Sequence, residues 1–155
     1  MPDNNGTLGS YAITAGTKLS YGTLGAGGAL PSSYNDLLGC TEIPELGTAP
    51  DTVDSTTLDN LKYHTSVPGL IDLGTFDFPF NLEKPAASAN INTIAGLSET
   101  TVYGWKVTYA SGITVEFKSK ARYSFGAAGV NELETFVLHL TPEDGLTITV
   151  PTPSI

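Results

Sequence analysis

Between Thr101 and Val150 the chain alternates apolar and polar residues with a period of two, the pattern of strands with one buried face. Ile113, Val115, Phe117, Ala121, Tyr123 and Phe125 alternate with Thr114, Glu116, Lys118, Lys120, Arg122 and Ser124, which predicts one long strand with a core side and a solvated side. Residues 102–109 precede it across a Ser111-Gly112 turn. Residues 134–140 and 146–150 follow it, across turns at 126–129 and 142–145. Upstream, residues 17–23 and 34–43 read as strands, the second stopped by Pro44. In residues 72–82, Phe76, Phe78 and Phe80 share one side and Thr75, Asp77 and Asn81 the other. Pro79 cannot donate to a ladder, so it predicts a bulge or a nitrogen aimed away from a neighbouring strand.

Residues 51–58 and 72–82 bracket a polar segment of about a dozen residues that ends in Pro68-Gly69, far longer than an ordinary hairpin loop. They predict a long hairpin whose tip, within residues 44–70, meets a partner. Residues 85–97 are the helix candidate: Pro85 suits its first turn, Ala87, Ile91, Ile94 and Ala95 form one stripe, and Gly96 stands near its end. So short and weakly apolar a helix holds only against a sheet. Residues 1–16, rich in Gly, Asn, Thr and Ser, predict a flexible arm, and residues 151–155 a loose tail.

Composition agrees with a single, mainly β domain: 155 residues, 40% hydrophobic and 15% charged, with Thr, Gly, Ser, Val and Tyr plentiful. Charge narrows the function. Sixteen acids against seven bases give a net charge of −9, which repels phosphate backbones and anionic membranes and excludes tight nucleic-acid binding. It suits a protein that sits beside nucleic acid without sticking to it. Cys40 is the only cysteine, so no disulfide forms within the chain; it is expected to be buried and inert. No signal-peptide pattern and no run of eighteen apolar residues is present, so synthesis in the cytoplasm and no membrane insertion are expected.

Candidate chemistry is sparse. The glycines at 25–28 lack the Lys and Ser/Thr of a phosphate-binding loop. His64 and His139 have no Cys or acid at a metal-ligand spacing, and His139 reads as a partly exposed strand residue. Asp51, Asp54, Asp59, Asp72 and Asp77 are too loosely spaced for a calcium loop, and there is no nucleophile elbow. No cofactor, no metal and no enzyme activity are expected. Lys118, Lys120 and Arg122 hold three of the seven bases, as a solvated face or an intersubunit charge strip.

The run IPELG at 43–47, Thr56-Thr57-Leu58 and GLIDLGTFDFPF at 69–80, followed by a short helix, a strand pair across 101–125 and ETFVLHLTPEDGL, resembles the major tail tube proteins of long non-contractile-tailed bacteriophages. The likeness covers roughly residues 10–148. It implies a mainly β fold, a sandwich or half-barrel with one packed helix and a long mobile hairpin loop. It also implies hexameric rings whose inner sheets join into one barrel and stack into a tube that carries DNA into the host. The location would be the virion, and the partners further copies of the chain, tail tip or baseplate, tape-measure and tail-terminator proteins. On this basis Asp59, Leu61, Lys62, Tyr63, His64 and Val67 are expected to form a ring-stacking loop, mobile alone and ordered in the tube. Thr75, Asp77 and Asn81 are expected to face the lumen. Lys118, Lys120 and Arg122 are expected to meet Glu132 and Glu134 of the same or an adjacent subunit. Two other readings are a tube protein of a bacterial secretion or injection system and a monomeric carbohydrate-binding β-sandwich. The latter needs an exposed aromatic platform, whereas Trp105 shares its face with Tyr103 and Val107 and is expected in the core.

Overall fold

The computed structural model describes residues 15–59, 62–86 and 89–152. The expected arm, apart from its last two residues, Leu61, Ala87 and the last three tail residues lie outside them. In chain order the elements are β1 (Lys18–Thr23), β2 (Asn35–Leu37), β3 (Thr52–Asp54), β4 (Ser66–Pro68), β5 (Phe76–Asn81), α1 (Asn90–Ala95), β6 (Val102–Thr108), β7 (Thr114–Lys120), β8 (Arg122–Phe125), β9 (Thr135–Leu140) and β10 (Thr147–Thr149). They form a five-stranded sheet in the order β10-β7-β6-β1-β2, a three-stranded sheet β5-β9-β8 and a separate β3-β4 ribbon. All pairings are antiparallel.

The two larger sheets pack face to face on one core, a sandwich. Leu19, Trp105, Val107 and Phe117 come from one sheet, and Phe78, Phe80, Phe136, Leu138 and Leu140 from the other; all are buried. Phe76 meets Phe117 edge-to-face across the sheets at 5.6 Å, and Phe80 stacks on its cross-strand partner Phe136 at 5.0 Å. Trp105 is in the core, as its pattern requires, and its indole Nε1 donates to the Ser119 carbonyl at 3.0 Å. Burying so large a ring leaves one polar atom to satisfy, and β7 satisfies it.

Four expected elements are corrected. Residues 51–58 and 72–82 do not pair: β3 pairs with β4, and β5 pairs with β9. The phenylalanine face of β5 needs a partner with the same buried alternation, which Phe136, Leu138 and Leu140 supply, whereas Val53 on β3 stays exposed. The strand expected over 113–125 breaks at Ala121, where the chain leaves one sheet for the other. The strand expected over 34–43 shrinks to β2, and beyond it Cys40 bridges Phe80. The helix expected over 85–97 is α1 alone; Ile94 is buried as expected, but Ala95 is exposed and the polar Asn90 is buried instead.

Pro79 keeps regular pairing with β9 and makes no bulge. Its carbonyl accepts the Thr41 N–H at 2.9 Å, so that side of the residue, nitrogen included, points away from β9. Cys40 is half-buried, not buried; burial pushes its thiol up, and the thiol donates to the Glu42 carbonyl at 3.2 Å.

The connection between β1 and β2 folds back over the outer face of the five-stranded sheet. Pro31 sits on the paired Gly22 and Gly104, where any Cβ would collide with its ring. Beyond it the Tyr34 hydroxyl donates to Glu116 Oε2 at 2.8 Å, and Lys106 Nζ lies 4.6 Å from the Tyr34 ring centroid. Burial, and then the Glu116 carboxylate, raise the Tyr34 hydroxyl above the usual tyrosine range. A raised folded-state value means this contribution is complete below about pH 10 and is lost as pH climbs towards the folded value. Tyr34→Phe is therefore expected to cost about 1 kcal/mol at neutral pH, from the lost hydrogen bond. It should also flatten the fall in urea midpoint between about pH 9 and 11, where Tyr109, raised by burial, leaves a residual slope. A variant with the parent's alkaline slope would assign that slope elsewhere.

Candidate assembly surfaces

The β3-β4 ribbon stands off the sandwich, with every residue of both strands exposed. It is held by its own hydrogen bonds. Asp51 N–H donates to the Leu70 carbonyl at its base, at 3.3 Å. Above the strands a hydroxyl ladder continues: Ser55 Oγ to Thr65 Oγ1 at 3.1 Å, Thr65 N–H to Thr56 Oγ1 at 2.8 Å, and Thr56 Oγ1 to His64 Nδ1 at 3.4 Å. Of the expected stacking residues, Asp59 bonds Thr57 near the tip, Lys62 lies over the Tyr63 ring, and Val67 faces Val53 across the ribbon. Leu58, Tyr63, Leu70, Ile71 and the Val53–Val67 pair are all exposed, Leu58 and Leu70 almost completely. Open apolar surface grouped on one arm is a feature of interaction sites in general.

The second surface is the outer face of β5-β9-β8. Thr75 and Asp77 are exposed there, whereas Asn81 is half-buried, its carbonyl taking Asn90 Nδ2 at 2.9 Å. Asp77 sits opposite His139 in the ladder, and His139 opposite Arg122. Asp77 Oδ1 lies 2.6 Å from His139 Nδ1, and His139 Nε2 lies 2.7 Å from Ser124 Oγ. This is the Ser-His-Asp connectivity of hydrolases, spread over three strands. Its setting is open. The Asp77 and His139 side chains are 61% and 34% exposed, so water screens the relay. The adjacent groove, about 440 Å³, is lined by Thr75, Lys120, Arg122, His139, Thr141 and Glu143 and does not include Ser124.

The three bases do not share one sheet. Lys118 and Lys120 end β7 in the five-stranded sheet and Arg122 opens β8 in the other. Lys118 pairs with Asp144 of its own chain at 3.5 Å. Neither Lys120 nor Arg122 has an acid within ion-pair distance among the described residues. The nearest acids by fold are Asp77, Glu143 and Asp144, not Glu132 and Glu134, which are exposed in the β8–β9 connection. Lumen and charge-strip candidates thus meet on one face.

The fold is shared with a chain of the anti-feeding prophage baseplate. Its cryo-EM structure, sixfold symmetrised, matches with a TM-score of 0.66 over 92% of this chain and 97% of that one, at 10% identity. At that identity the likeness is one of fold. No family model matches the sequence, and no curated protein matches it. Among the described residues no group of three or more His, Cys, Asp or Glu is placed to hold a metal, and no helix is long and apolar enough to cross a membrane.

Sequence reasoning missed the Ser124–His139–Asp77 relay and the Lys118–Asp144 pair. Both depend on register between distant strands. Alternation along one strand puts Asp77 and His139 on outward faces, but only the β5–β9 pairing puts them opposite each other.

Proposed function

We propose that this chain is a structural subunit of a phage-tail-like particle, self-assembling into stacked hexameric rings that form a tube for DNA delivery. The observation that carries it is the exposed apolar ribbon, standing off a fold shared with a chain of a sixfold-symmetrised prophage baseplate. An arm with no core contact of its own reaches a neighbouring ring and buries Leu58, Tyr63 and Val67 there. In this reading the outer face of β5, with Asp77 near its start, is offered to the lumen, and the β8 side of that sheet is left for contacts between copies. The net charge of −9 keeps passing DNA from binding tightly. Tail tip or baseplate, tape-measure and terminator proteins would bound such a tube.

Negative-stain microscopy of the concentrated protein tests this: tubes or stacked rings are expected, and dispersed monomers at every concentration would refute it. A second reading, a baseplate subunit, is favoured by the neighbour's own place; closed rings that never stack would decide for it. No enzymatic role is proposed. With the relay open to water and Ser124 outside the adjacent groove, no burst is expected with an activated aryl ester and no labelling of Ser124 by a fluorophosphonate.

A further inference from the structure

We propose that the β8–β9 hairpin is a head-to-tail connector between copies of this chain, its acidic loop seated in the Lys120–Arg122 groove of the next subunit. This rests on the self-assembly reading above. Two copies of a chain with net charge −9 repel, so a stable contact has to use the few cations that are not already engaged. Lys18 is held by Asp36 and Lys118 by Asp144, Lys106 lies over Tyr34 and Lys62 over Tyr63, and Lys84 is the one base of the β5–α1 connection. Lys120 and Arg122, the chain's only arginine, are exposed at one end of the hairpin without an ion-pair partner among the described residues. A guanidinium in that position presents a fork suited to a carboxylate.

The matching acids are at the hairpin's other end. Arg122 stands opposite His139 and Phe125 opposite Phe136, so Glu132 and Glu134 lie beyond the far end of β9. The whole strand, ~16 Å at a strand's rise, separates Glu134 from Arg122, too far for two side chains to bridge. The same loop exposes Val130 and Leu133, at 90% and 71%, beside exposed Phe125. One end therefore carries apolar side chains flanked by two carboxylates, and the other a groove of about 440 Å³ with two cations and the Thr75 and Thr141 hydroxyls. Glu143 lines the groove and Asp77, bonded to His139, lies beside it, and neither is within ion-pair distance of Lys120 or Arg122. Complementary patches at opposite ends of one element make a heterologous contact, which generates a ring where the rotation closes.

Charge reversal tests this, with circular dichroism confirming folded protein. Lys120→Glu with Arg122→Glu, and separately Glu132→Lys with Glu134→Lys, should each raise the concentration needed for rings or tubes about tenfold or more, because like charges then meet at every contact. An equimolar mixture of the two variants should recover assembly, since alternating copies restore opposite charges at each junction and six is an even number. Either variant assembling like the parent, or a mixture and a quadruple variant that both stay dispersed, would overturn the contact while leaving self-assembly standing. A parent that never assembles would remove both.

Discussion

Replacing Asn90 with leucine is expected to destabilise the domain by about 3 kcal/mol, followed in urea through the single buried tryptophan, Trp105. Asn90 is 2% exposed, and its side chain joins three backbone segments. Nδ2 donates to the Leu38 carbonyl at 2.8 Å and to the Asn81 carbonyl at 2.9 Å, and Oδ1 accepts the Glu83 N–H at 3.2 Å. Leucine nearly fills the same space, so the loss is not a cavity effect. It comes from leaving two part-buried carbonyls and an amide without partners, each costing about 1 kcal/mol. Helix α1, only six residues long, has little else at its start: Ala89 caps it without a side-chain bond, and Glu83 Oε1 accepts the Asn90 N–H at 2.9 Å. A loss below about 1 kcal/mol would show that water replaces the amide.

Replacing residues 56–64 by Asn-Gly is expected to leave folding within about 0.5 kcal/mol of the parent and to abolish stacking. The Ser55 N–H donates to the Thr65 carbonyl at 2.9 Å, so these two form a hydrogen-bonded pair of the ribbon that a two-residue turn closes without strain. The removed segment includes Leu58 and Tyr63, both exposed, so the monomer loses no core contact. A stacked assembly loses the apolar tip that crosses to its neighbour. Sedimentation at high concentration reads the outcome: single rings or monomers support the ribbon's role, and tubes of parental length refute it.

How much of this was legible in the sequence follows from what alternation encodes. Phe76, Phe78 and Phe80 on one side, and Val115 and Phe117 on another strand, were readable as core because burial imposes a period of two. Partner choice was not, since alternation marks a face but names no neighbour; hence the mistaken pairing of residues 51–58 with 72–82. The break at Ala121 was invisible for a related reason. Both sheets bury the same parity of one continuous run, so Phe117, Ala121 and Tyr123 read as one strand although two sheets share them. Asn90 was hidden because its burial depends on carbonyls far along the chain, and no local pattern signals a satisfied buried amide. At the candidate surfaces Tyr63 and Val67 were readable as apolar groups in a polar tip, and both are exposed. The groove required the β8–β9 register and the turn after β9.

The passage through Ala121 has a mechanical consequence. β7 and β8 are joined by a single residue, yet each belongs to a different layer of the sandwich. Sliding one layer over the other would stretch covalent backbone at that corner, rather than merely shear side-chain contacts. The subunit therefore answers a lateral load as one stiff block. In the proposed tube, bending would then be taken up at the joints between blocks, and the bore would keep its width.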